Sequence, residues 1–161
     1  MTENPIIDLL RSNARYSTAD LAALCSMSES DVADKLAALE KDGTILGYQT
    51  VINTEKLGDQ GVSAFIEVKL TPERDGGFDK LAMRIAKFSQ VNSCYLASGG
   101  YDLMVVIEGQ TLRDVASFVT QKLSTIEGVV STATHFRLKT YKENGLVFAT
   151  ETSEGRLVVS P

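Results

Sequence analysis

Reactive side chains are scarce in this sequence. His135 is the one histidine among 161 residues, and Cys25 and Cys94 are the two cysteines, far apart and without C-x-x-C spacing. A structural zinc needs four converging ligands and a disulfide framework needs several cysteines, so neither is expected, and both thiols read as reduced small hydrophobes. No nucleophile elbow and no P-loop pattern is present. His135 alternates in register with Arg137 and Lys139, which suits a solvated or interface position better than a catalytic one. The expectation is a protein that is not an enzyme, with no metal and no cofactor.

Long apolar runs and excess positive charge are missing too. Nothing approaches a membrane span, and Met1 to Asn13 lacks the basic start and apolar centre of a signal peptide, so a cytoplasmic location is expected. Sixteen Lys and Arg face 21 Asp and Glu, a net charge of −5. Residues 1–58 carry five cations against nine anions. Attraction of that half to phosphate should be weak unless several copies act together. What is present is ordinary for a folded soluble chain, 43% apolar and 23% charged. The length allows two small domains, each marginal alone, so self-association is expected.

The first third has helical periods and helix punctuation. Asn4 followed by Pro5 is an N-cap with proline at the first helical position, and Ile6, Leu9 and Leu10 form a buried stripe. "STAD", residues 17–20, starts a second helix as a capping box with Asp in the Glu place. A tight connection at 25–27 leads to Ser28, the cap of a third helix whose Val32, Leu36 and Leu39 share one face, and Gly43 ends it. Two helices joined by about three residues behind a supporting helix are the helix-turn-helix plan. The β-branched stretch Thr44 to Asn53 reads as a wing or linker strand. Opposite its buried stripe the third helix presents Ser30, Asp34, Ala37 and Lys41, a small and half-basic face. The competing reading is a three-helix packing module that meets no nucleic acid.

From Val62 the period changes to two. Val62, Ala64, Ile66, Val68 and Leu70 alternate with Ser63, Phe65, Glu67 and Lys69. Helix stripes follow at Phe78, Leu81, Ala82, Ile85 and at Leu112, Val115, Ala116, Val119, Leu123, with strands expected at 91–98, 103–108 and 129–141. The order βαββαβ is that of a ferredoxin-like fold, α+β, with both helices on one face of the sheet. "LMVVI", residues 103–107, is apolar on both parities and Phe65 lies on the parity opposite the main stripe, so the helix-free face needs a cover, for which a second copy is the simplest.

The stretch "ARYSTADLAALCSMSESDVADKLAALEKDGTILGYQTVIN", residues 14–53, resembles the N-terminal half of the Lrp/AsnC (feast/famine) transcription regulators, including the ending Leu39, Glu40, Gly43, Ile45, Gly47, Tyr48. "SGGYDLMVVIEG", 98–109, is similar to the glycine-rich turn and following strand of that family's effector domain, and "EGVVSTATHFRLK", 127–139, to its last strand. The resemblance spans roughly residues 4–141. It implies a winged helix-turn-helix DNA-binding domain over 1–50, a linker over 51–61, a ferredoxin-like effector and dimerisation domain over 62–141, and an extension over 142–161. It also implies double-stranded DNA as partner, dimers that often assemble to octamers, and an amino acid effector between subunits. The residues this places at DNA are Ser28, Ser30, Asp31, Asp34, Lys35 and Lys41. Those it places at the effector are Ser98, Gly99, Gly100, Tyr101, Asp102, Thr132 and Thr134. The turn glycines would offer backbone N–H groups to a carboxylate and Asp102 would face an ammonium. The other reading is a plain hairpin corner, with Tyr101 packed and Asp102 solvated.

The chain departs from the family in having only Lys35 and Lys41 as cations on the third helix, with Asp31 and Asp34 beside them. Two alternatives therefore stand: an amino-acid-binding oligomer without DNA binding, and a subunit like the sirohaem decarboxylases, which resemble this family. In the extension, Asn144-Gly145 is a hairpin signal, and "GLVFATE" and "RLVVS" are either short strands or a loose tail.

Overall fold

The computed structural model describes residues 4–58, 61–72 and 77–148. The chain divides into two compact units, Met1–Ile52 and Asn53–Pro161.

The first unit is built by its caps. The Asn4 side chain accepts from the Ile6 N–H at 3.1 Å and starts α1 (Pro5–Ser12). Ser17 and Asp20 form the reciprocal capping box of α2 (Thr18–Cys25), and those hydrogen bonds hold the Asp20 carboxyl below its ordinary pKa. Ser28 caps α3 (Glu29–Lys41), its hydroxyl accepting from Asp31 N–H and donating to the Asp31 carboxylate. Between α2 and α3, Ser26 takes a left-handed conformation, φ 54°, where glycine is the usual residue. Ile6, Leu21, Ala22 and Val32 are buried together, with Leu9, Leu10 and Leu36 packed around them. Each such large side chain contributes roughly 1.5–3 kcal/mol.

Residues 44–53 differ from the expected wing or linker strand. They are irregular, with a bend at Thr44, and belong to no strand among the described residues. Strand hydrogen bonds need a neighbour, and here the polar ties run back to α3: Ile45 N–H donates to Leu39 C=O at 2.9 Å and the Tyr48 hydroxyl donates to Glu40 at 2.9 Å. Leu46 is left 94% exposed.

The second unit begins with a single turn, α4 (Thr54–Leu57), inside the stretch read as linker. It continues through β1 (Val62–Leu70), α5 (Asp79–Ala86), β2 (Val91–Leu96), β3 (Leu103–Gly109), α6 (Leu112–Phe118) and β4 (Val129–Phe136). The sheet order is β2-β3-β1-β4, antiparallel throughout. Ala64, Ile66, Val68 and Leu70 of β1 and Leu103, Val105 and Ile107 of β3 face Leu81, Ile85, Val115 and Phe118 of the helices in one core. The expected βαββαβ order is present.

Two boundaries moved. α6 widens into a π-helical turn at Val119–Leu123, where the Thr120 hydroxyl donates to Ala116 C=O at 2.8 Å. Phe118, three residues on from Val115, is buried with Leu123 and Ile126, while Leu112 in the first turn is exposed, so the buried stripe runs through 115 and 118 rather than from 112. β4 stops at Phe136 rather than 141, because β1 begins at Val62 and offers no further partner beyond the Arg137 N–H to Ser63 C=O bond of 2.9 Å. Asn144 and Gly145, both at positive φ, turn a short hairpin between β5 (Lys142–Glu143) and β6 (Leu146–Val147). "RLVVS" and the end of "GLVFATE" lie outside the described residues.

Gly128 carries a constraint that periodicity does not show. Its φ is +94°, and a Cβ there would sit 2.8 Å from Leu81 Cδ1. Left-handed strain costs about 1–3 kcal/mol for other residues. Gly128→Ala is therefore expected to lower stability by about 2 kcal/mol, read as an earlier urea midpoint at unchanged slope; an unshifted midpoint would show that Leu81 yields freely.

Candidate functional site

Two separate regions carry the expected functional residues, one on each unit. On the first, α2 and α3 are joined through Ser26, Met27 and the cap Ser28, the helix-turn-helix geometry. Val32 is buried beneath α3, while Ser28, Ser30, Asp31, Asp34, Lys35 and Lys41 are all exposed. The structure thus leaves this face open as the sequence places it. Ser28 and Asp31 are bonded to each other at the helix start, which leaves Ser30, Asp34, Lys35 and Lys41 as the side chains free of such a tie.

On the second unit, Ser98, Gly99 and Gly100 form the exposed β2–β3 connection, with Gly99 at φ +142°. Tyr101 and Asp102 are half-buried. Asp102 is not a solvated corner residue: its carboxylate accepts from Leu70 N–H at 2.7 Å, its own N–H donates to Val68 C=O at 3.0 Å, and its C=O accepts from Ala97 N–H at 2.9 Å. The first of these bonds meets β1 where its register with β4 slips between Lys69 and Leu70. One carboxylate oxygen is thereby committed to the backbone. Thr132 and Thr134 stand opposite Val68 and Ile66 on β4, half-buried. Thr132 and Asp102 so reach the same end of the sheet, but β1 lies between them, about two strand spacings or ~10 Å across.

The helix-free face is a ladder of mixed character. Phe65 stands opposite Val106 and His135, and Glu67 opposite Met104 and Ala133. His135 Nε2 lies 3.3 Å from a Glu67 oxygen. Phe65 is 37% and Tyr95 59% exposed. At the far end, Ser63 is buried, and its hydroxyl has no hydrogen-bond partner among the described residues. Sequence reasoning passed over Ser63 and its neighbour Arg137, since a serine on the polar parity of a strand carries no signal of burial.

Cys94 is half-buried with its thiol against Ala82 C=O, and burial pushes its pKa up. That is the opposite of an activated thiol. Among the described residues no group of three His, Cys, Asp or Glu side chains converges, and no helix is long and apolar enough to cross a membrane.

The chain thus joins a helix-turn-helix unit to a βαββαβ unit with a glycine turn. The Lrp/AsnC ligand binding domain matches residues 63–147. YugG of Bacillus subtilis, described as an uncharacterized HTH-type transcriptional regulator, is 46% identical over 99% of this chain and 96% of its own length. The HTH-type transcriptional regulator LrpA of Pyrococcus abyssi is 33% identical over 77% of this chain and 85% of its own. In fold, the chain is similar to the regulator NMB0573 of Neisseria meningitidis, solved in complex with L-Met, with a TM-score of 0.68 at 24% identity over 88% of this chain and 94% of that one. The chain belongs to the Lrp/AsnC family of transcriptional regulators. The family match extends through the 142–147 hairpin, past the point at which the sequence reading ends the domain.

Proposed function

We propose that this protein is a cytoplasmic regulator that binds double-stranded DNA through α3 as an oligomer and answers to an amino acid held at the Ser98–Asp102 turn between subunits. The observation that carries the reading is the capped, three-residue connection from α2 to α3, which holds the outer face of α3 open and polar. Ser30, Asp34, Lys35 and Lys41 contact the duplex. The family regulators whose names attach them to transcription support the reading, and the helix-free sheet face supports the dimer. An octamer suits the exposure that Phe136 retains at the edge strand β4. With so few cations, several readers on one duplex must supply the affinity.

Selecting bound fragments from a genomic DNA pool, with and without amino acids, tests this. Enrichment of a common site, altered by one amino acid, is the expected result. Binding should fall steeply with salt. Asp34→Asn removes a carboxylate at ~7 Å from phosphate, worth about 0.6 kcal/mol in water, so nonspecific binding should tighten about threefold per subunit at low salt. Retention of no duplex even at low salt would favour an amino-acid-binding oligomer without DNA, a reading kept by the nine anions of residues 1–58.

A further inference from the structure

The Ser63 end of the sheet holds a cavity of about 360 Å³ lined by Thr54, Ser63, Glu108, Gln110 and Arg137. That volume is within the range of small-molecule pockets, roughly 300–1,000 Å³. It lies seven residues along β1 from Leu70, where the glycine turn is strapped, hence ~23 Å away. Ser63 pairs with Glu108 on β3, and Arg137 N–H bonds to Ser63 C=O on the other side, so the three side chains share the helix-free face with the serine in the middle.

Three features of this cavity call for a ligand. The Ser63 hydroxyl is buried, 6% exposed as a residue, without a partner among the described residues. Buried polar groups are otherwise nearly always bonded, so this one marks a position where a guest group belongs. The Arg137 side chain is 27% exposed and, among the described residues, its guanidinium meets only Glu143, at a long 3.5 Å, which leaves most of its five donors to a guest. Glu108 gives one oxygen to Asn92 at 3.1 Å and keeps the other. A guanidinium, a hydroxyl and a carboxylate in a row match a carboxylate with a hydrogen-bonding group on the neighbouring carbon.

We propose that this cavity is a second small-molecule site, separate from the turn, that takes a small α-amino or α-hydroxy acid. Arg137 holds the carboxylate, the Ser63 hydroxyl bonds the α-substituent, and Glu108 favours an ammonium there over a hydroxyl. The site stands whether or not the turn binds an effector.

The test is titration of the isotope-labelled full chain with L-alanine, L-lactate and acetate, reading backbone amide resonances. The expected result is a shift of the Ser63, Glu108 and Arg137 amides, tightest with L-alanine and weakest with acetate. Arg137→Gln should weaken that response about tenfold, the effect of losing a charged hydrogen bond. Ser63→Ala removes a hydroxyl that bonds none of the described residues, so it folds as the wild type does and still weakens L-alanine by about fivefold. Asp102→Asn, at the turn, leaves these amides responding as before. Shifts confined to residues 97–102 and 132–134, or an L-alanine response unchanged by Ser63→Ala, overturn the proposal. So does a change of mass in light scattering for Ser63→Ala with carboxylate binding intact, which would give the cavity to a second copy of the chain.

Discussion

Val106→Lys is expected to split the assembly into folded monomers, seen as a halved or smaller mass in light scattering with an unchanged circular dichroism spectrum. Val106 sits on β3 beside Phe65, in the middle of the helix-free face, and is half-buried in the single chain. Phe65, Met104 and Tyr95 surround it with apolar surface that no helix covers. In a lone subunit a lysine there can lay its methylenes on that surface and keep its ammonium wet. In a two-fold seam the same residue appears from both sides, and two ammonium groups lose water opposite each other. Breaking the balance of a buried seam in this way costs about 3–5 kcal/mol, or more than a hundredfold in dissociation constant. His135 shares the row of Val106 and Phe65 and Glu67 lies one row away, and the two are too closely engaged with each other, at 3.3 Å, to compensate both lysines. A folded Val106→Lys protein at wild-type mass would place the dimer contact on another surface.

Elements whose cause is local were legible in the sequence. Asn4 with Pro5, Ser17 with Asp20, Ser28 and the Asn144-Gly145 turn each act within a few residues, and each forms the cap or turn its side chains dictate. The period of two in β1 was equally clear, since burial on one face must show every second residue. What failed to show depends on distant partners. Residues 44–53 have strand propensity but pair with no strand among the described residues. Leu112 is exposed and Phe118 buried because the face of α6 that meets the sheet is set by how the helix is seated on it, which the stripe alone leaves open. At the candidate sites the exposed α3 face followed from helix geometry alone, whereas the bond from Leu70 to Asp102 joins residues 32 apart and the burial of Ser63 depends on strands on both sides.

That bond changes what Asp102 does. The sequence offers it either to solvent or to an ammonium group, and the structure gives one of its oxygens to β1 before any ligand arrives. A hydrogen bond to a charged acceptor contributes about 1.5–3 kcal/mol, and a half-buried N–H left unpaired adds to the loss. Asp102→Ala is therefore expected to destabilise the second unit by about 3 kcal/mol, because the end of β1 loses its strap at the point where the pairing with β4 already slips. Asp102→Asn separates this role from ligand binding. Its amide oxygen can still accept from Leu70 N–H, so the urea midpoint should return most of the way to wild type. Its second position, however, is an NH₂ group that donates, and an ammonium ligand finds no acceptor there. Calorimetry against the twenty amino acids singly should then show the wild type binding one of them and Asp102→Asn binding it about 10- to 100-fold more weakly, the loss of one charged hydrogen bond. Thr132→Ala should weaken the same amino acid by less, since its partner there is neutral. An Asp102→Asn protein that folds and binds as tightly as the wild type would make the turn a strap on β1 alone and move the effector elsewhere on the subunit.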